Sequence, residues 1–177
     1  MKLSVREMAV FSMLGALMYL SKILMDWAPN IHLLGMFIVA FTVVYRAKAL
    51  YPIYLFVLLT GVLNGFGTWW IPYLYVWAVL WGLVMLIPRK LPTAVKNILY
   101  VVVCALHGFG FGVLYAPAEA LLRGLSFEGM LAWIVMGFPF DVMHGISNLI
   151  CGFLIFPIVT VLGYMEKRGH QIRPPKD

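Results

Sequence analysis

Nearly every lysine and arginine of this chain sits in one of four short clusters: Lys2/Arg6, Arg46/Lys48, Arg89/Lys90/Lys96 and Lys167/Arg168/Arg173/Lys176. Only Lys22 and Arg123 fall outside them. The intervals between clusters are apolar and long enough to divide into pairs of membrane spans of about 20 residues each. A pair of spans returns the chain to the side it left, so all four clusters fall on one face. The excess of Lys and Arg in cytoplasmic loops makes that face the inner one. The expected fold class is therefore all-α, a six-span transmembrane helical bundle with N- and C-termini both cytoplasmic, forming a single integral membrane domain over residues 1–177.

Composition excludes the water-soluble alternative. The chain is 63% hydrophobic and 11% charged, whereas globular domains are roughly 45–50% apolar and about 25% charged. The net charge of +6 does not point to nucleic acid, because the basic clusters are short and lie at span ends. Cys104 and Cys151 lie in apolar runs without a Cys-x-x-Cys spacing, which fits small buried hydrophobes better than metal or redox work. The N-terminal apolar run continues past Lys22 without a small-residue cleavage site, so it is read as a retained first span rather than a signal peptide.

The spans are expected at about 8–27, 31–45, 50–66, 71–87, 98–115 and 140–164, followed by a polar tail at 166–177. Pro29 and Asn30 make the first outer turn, Tyr45-Arg46-Ala47-Lys48 the first inner boundary, and Pro88-Arg89-Lys90 the second. The stretch Ala116 to Phe138 is amphipathic, with Glu119, Arg123 and Glu128 among leucines and aromatics. It is expected to be a structured outer loop between spans 5 and 6, with a helical piece lying on the bundle or dipping into it.

The strongest polar constellation opens the sixth span. Spacings of three and four put Asp141, His144 and Asn148 on one helix face. Polar groups unpaired in hydrocarbon cost several kcal/mol each, so this stripe faces a ligand pocket or forms a hydrogen-bonded seam between helices. His107, midway along the fifth span between small residues, carries the same two readings. Trp27, Trp69, Trp70, Tyr73, Tyr75, Trp77 and Trp133 all belong to outer connections or span tops. They are an interfacial aromatic belt or rings gathered over one mouth to stack on a flat ligand. Lys22 and Asp26, one turn apart, are an ion pair or a grip on a ligand carboxylate. Ala9, Ser12 and Ala16 form a small-residue face on the first span that admits a close helix neighbour. No histidine or carboxylate spacing suggests a metal site.

These features together resemble the substrate-binding S components of energy-coupling factor (ECF) vitamin transporters. The resemblance covers the whole chain. It rests on length, span number, the small-residue first span, the outer loop before the last span, and Phe-Asp-x-x-His-Gly-x-x-Asn at Phe140 to Asn148. It implies an importer subunit that binds a small water-soluble vitamin or related nutrient from outside. The subunit then docks on a transmembrane coupling subunit carried by two ATPases. By resemblance, substrate-binding residues are expected among Trp27, His32, Trp69, Trp70, Tyr73, Trp77, His107, Trp133, Asp141, His144 and Asn148, with Ala9, Ser12 and Ala16 as the docking face. Ser12 departs from the family's usual Ala-x-x-x-Ala docking pattern while remaining small.

The chain has no P-loop pattern, so ATP is expected to be used by partner subunits, with no cofactor bound here. The expected location is the prokaryotic plasma membrane, and Asp141 suggests a ligand bearing a donor or positive charge. A scaffold similar to the cell-shape protein MreD is the alternative, with the polar stripe as glue and no transported ligand. An intramembrane enzyme using Asp141 and His144 as acid and base is disfavoured, because no nucleophile sits at a partnering position.

Overall fold

The structure, a computed structural model, describes residues 3–171, with side chains through residue 168. Lys2, Arg173, Lys176 and the rest of the expected tail beyond residue 171 lie outside the described residues. Among the described residues there is no strand, and eight α-helices follow one another: α1 (Val5–Met25), α2 (Leu34–Tyr45), α3 (Leu50–Asn64), α4 (Tyr73–Leu86), α5 (Thr93–Phe109), α6 (Phe111–Arg123), α7 (Phe127–Gly152) and α8 (Ile155–Gln171). Five helical runs are long and apolar enough to cross a bilayer: Val5–Met25, Leu34–Asn64, Thr68–Leu86, Thr93–Arg123 and Phe127–Gly152.

Helix α1 starts where Ser4 and Glu7 satisfy each other's backbone. Glu7 N–H donates to Ser4 Oγ at 3.2 Å, and Ser4 N–H donates to Glu7 Oε2 at 2.9 Å, a capping box. The helix turns Phe11, Gly15 and Met18 inward and leaves Ala9, Ser12 and Ala16 exposed. Its inner face fixes the direction of the next two helices. Phe11 lies edge-on to Tyr45 at 5.0 Å and stacked on Tyr51 at 6.0 Å, and the Tyr19 hydroxyl donates to Asn64 Oδ1 at 3.0 Å. Helix α2 therefore runs against α1, and α3 runs alongside it. The Leu34–Asn64 run is two helices, reversing at a 3₁₀ turn over Arg46–Ala49. Arg46 takes a positive φ of 55° there. Its carbonyl accepts from Trp81 Nε1 at 3.1 Å, and its guanidinium donates to Met85 O at 3.2 Å.

Helix α2 is the axis of the bundle. Every residue from Leu34 to Thr42 is buried, and the Thr42 hydroxyl donates back to Ile38 O at 2.6 Å. Its 12 residues reach only about 18 Å at roughly 1.5 Å per residue, well short of a hydrocarbon core of about 30 Å. Enclosure by α1, α4, α5, α7 and α8 removes the need to match that thickness.

Described basic residues from all four clusters meet at one end of the bundle, away from Lys22. Lys48 pairs with Glu7, Arg6 reaches Glu166 at 3.4 Å, Arg46 binds the end of α4, and Lys96 Nζ donates to Arg89 O at 3.3 Å. The clustering read from sequence is thus a clustering in space.

The second half differs from expectation in its helix limits. The helix expected at 98–115 begins at Thr93 and is interrupted at Gly110. The expected loop at 116–138 is a helical hairpin made of α6 and the first half of α7. Gly124 (φ 65°) closes α6, and Ser126 caps α7 by accepting from Gly129 N–H at 3.1 Å. Pro117 and Pro139 lie inside α6 and α7, a placement that membrane helices tolerate when neighbours re-satisfy the freed backbone. The helix expected over 140–164 ends at Gly152, and α8 starts anew at Ile155, taking in residues 166–171 of the expected tail.

Helices α5 and α7 form the most extensive helix pair, in antiparallel register. A Cβ on Gly108 would lie 2.8 Å from both Gly145 Cα and His144 O, so the two backbones touch there. After the turn at Phe153–Leu154, α8 crosses the basic end, burying Ile155 and Leu162 and finishing near Arg6.

Candidate functional site

At the end opposite the basic clusters, the connection between α1 and α2 folds over a hollow of about 170 Å³. Its walls include Lys22 and Asp26 from the end of α1, Asn30 and His32 from the connection, and Tyr73, Phe111 and His144 from the ends or middle of α4, α6 and α7. Asn30 takes a positive φ of 60°, which lets the chain double back over the opening. Beneath lies a tight group of rings. His32 and His144 are edge-on with centroids 4.5 Å apart, and Phe111 sits 4.7 Å from His144. Trp77 lies within 5.3 to 6.2 Å of Tyr73, Phe111, His107 and His32.

Four side chains of this ring group carry a buried polar atom without a hydrogen-bond partner: His32 Nδ1, Trp77 Nε1, His107 Nδ1 and His144 Nε2. Buried polar groups are satisfied in the large majority of cases, so this concentration beside a hollow is a marked departure. The arrangement offers donors and acceptors set among aromatic faces, suited to a small polar or heteroaromatic molecule. The hollow is smaller than the roughly 300–1,000 Å³ of drug-sized ligand pockets, so a ligand of that size requires the segment from Asp26 to His32 to withdraw.

The residues singled out in the sequence divide. His32, Tyr73 and His144 line the hollow, and Trp77 and His107 lie directly behind it. His107 Nε2 donates to Val76 O at 3.0 Å, which leaves its other nitrogen open. Trp69 packs edge-on to Tyr73, and its carbonyl accepts from the Tyr115 hydroxyl. Trp133 stacks on Tyr115, at the hairpin rather than at the hollow. The Trp70 indole donates to Val57 O at 2.7 Å, pinning it to α3. Trp27 is 84% exposed and touches no part of the hollow.

Asp141 and Asn148 are engaged between helices. Asp141 Oδ1 accepts from Gly112 N–H at 2.9 Å, in the first turn of α6. It serves that helix as an N-terminal acceptor supplied from α7. Asn148 Nδ2 donates to Cys104 O at 3.0 Å, and the side chain packs against Gly35 and Gly108 with no exposed surface, its Oδ1 left without a partner. Asp141→Ala is expected to lower stability by about 1–3 kcal/mol, because Gly112 N–H is left unpaired. Asp141→Asn keeps an acceptor and should recover most of that loss in a detergent melting experiment.

At the rim, Lys22 Nζ and Asp26 Oδ1 are 3.0 Å apart, with Asp26 half exposed. Such a pair is worth roughly 0.2–1 kcal/mol, so Lys22→Met should barely move the melting temperature. His32 precedes α2, outside the helical runs, and burial pushes its imidazole down to about 4. The charged or titratable groups around it are His107, His144, Lys22 and Asp26. Its folded value lies below its ordinary value of 6.5, so its contribution to stability is intact above about 6.5 and drains as pH falls toward 4. His32→Gln should flatten the fall in melting temperature across that window.

Phe111 was not singled out, although it lies one helical turn beyond His107, and that spacing was its available signal. Among the described residues, no three His, Cys, Asp or Glu side chains are placed to hold a metal ion. No family model matches this chain, and neither a curated protein nor a solved structure matches it.

Proposed function

We propose that this chain is the substrate-binding S component of an ECF-type importer in a prokaryotic plasma membrane. It captures a small water-soluble vitamin or related nutrient from outside and delivers it inward when coupled to ATPases. The observation that carries the reading is the group of unpartnered buried nitrogens on His32, Trp77, His107 and His144 beside the hollow. A helix bundle built only for packing gains nothing from such a group.

Three further features support it. Pairing α2 against α1 and α3 gives six passes with both ends on the side of the basic clusters, which the positive-inside rule makes cytoplasmic. The hollow then opens outward. Ala9, Ser12 and Ala16 remain uncovered on α1, leaving a small-residue face for a coupling subunit.

With Asp141 and Asn148 engaged between helices, recognition falls to the imidazoles, the Trp77 indole and the Tyr73 and Phe111 rings. The ligand class is a compact heteroaromatic or polar molecule whose edge hydrogen-bonds to the open imidazole nitrogens. The test is a melting screen of the purified protein against water-soluble vitamins and their precursors. One compound should raise the melting temperature at micromolar concentration, since binding to the folded state stabilises by mass action. No shift with any compound would remove the proposal.

One observation favours the scaffold reading instead. Two of the three polar residues on the α7 stripe bond to α5 and α6 as glue. The readings separate on His144→Leu combined with Trp77→Phe: a scaffold keeps its partners and its cellular effect, whereas an importer subunit loses uptake while still assembling with the coupling module.

A further inference from the structure

A cavity larger than the hollow lies elsewhere, at the basic end. Because α7 stops at Gly152 and the chain turns away, the first half of α5 loses its neighbour and a wedge opens between α5 and α8. This cleft measures about 340 Å³ and is lined by Ile98, Val101, Val102, Phe153, Ile155 and Phe156, with Asn97 its one polar side chain. Ile98 and Phe153 are largely exposed along it. A smaller adjoining cavity of about 130 Å³ shares Asn97, Ile155 and Phe156 and adds Thr93, Lys96 and Tyr100. The apolar cleft thus leads to a polar corner whose charge is entirely positive. Arg89, Lys90 and Lys96 form no ion pair among the described residues, whereas Glu7 and Glu166 at the same end are taken by Lys48 and Arg6.

We infer that this cleft is a site for an anionic membrane phospholipid, with part of one acyl chain between α5 and α8 and the phosphate on Lys96, Arg89 and Lys90. The apolar walls suit a hydrocarbon chain, the half-buried Lys96 marks the depth at which the charge must stop, and the uncompensated cations select the headgroup. The site is separate from the hollow at the other end and does not depend on what that hollow binds.

The test is native mass spectrometry of the full chain released from detergent micelles containing equal phosphatidylglycerol and phosphatidylcholine. The wild type should retain phosphatidylglycerol with a preference of roughly tenfold or more. Lys96→Gln with Arg89→Gln should bring the ratio close to parity. Val102→Trp, which fills the cleft from its exposed side, should remove retained lipid of either kind. Parity in the wild type, or an unchanged preference in the double variant, would overturn the headgroup assignment. Undiminished phosphatidylglycerol in Val102→Trp would overturn the location, and no retained lipid in the wild type would assign the cleft to a protein partner instead.

Discussion

Gly108→Leu is expected to abolish recovery of folded, monodisperse protein. At this position α5 and α7 meet backbone to backbone, and a first side-chain carbon alone would sit 2.8 Å from Gly145 Cα and from His144 O. Backbone atoms cannot rotate aside as a side chain does, so the helices must separate. That separation reaches His107, His144 and Asn148 together, because all three lie within one turn of the contact. Even Gly108→Ala should cost about 1–3 kcal/mol, the usual range for forcing extra carbon into a packed interior. Gly82, on α4, is the matched control. Nothing lies within 4 Å of a Cβ built there, so Gly82→Ala should be neutral or stabilising by up to about 1 kcal/mol through helix propensity. Size-exclusion profiles and melting curves of the three variants decide the matter. A well-behaved Gly108→Leu protein would show that the α5–α7 contact is not as close as described.

The second large effect belongs to His144. His144→Leu should leave the fold intact, since the imidazole Nε2 has no partner to lose and leucine fills similar space against Phe111 and His32. Affinity for the ligand found in the melting screen should fall by roughly 10- to 100-fold, the usual cost of one buried hydrogen bond of about 1–3 kcal/mol. Titration calorimetry on wild type and variant measures it. Unchanged affinity would place the ligand away from the hollow. A collapse of the apo-protein's melting temperature would make His144 a structural residue instead.

Much of the architecture was legible in the sequence because the bilayer acts on each segment separately. A run of apolar residues is helical in hydrocarbon regardless of its neighbours, since only an internal ladder satisfies its backbone. The described members of the Lys and Arg clusters meet at one end for the same reason: each charge stays at the edge of its own segment. Over 116–164 the helix limits differ from expectation at points of local punctuation. Pro117 and Pro139 are strong breakers in water, yet both sit inside helices here. The true interruptions, at Gly110 and Phe153–Leu154, carry weaker signals.

The candidate site was legible only as a list. Asp141, His144 and Asn148 share one face of α7, and that much the sequence by itself determined, through the 3.6-residue period of the helix. Which of them meets a ligand was decided by tertiary structure alone. Asp141 is claimed by the amide of Gly112, 29 residues away, and Asn148 by the carbonyl of Cys104, 44 residues away. His144, between them, faces the hollow. The physical reason is that a polar side chain in a low-dielectric interior goes to whichever partner the neighbouring helix presents at that height. Those partners are backbone groups, which every residue carries and no sequence pattern marks.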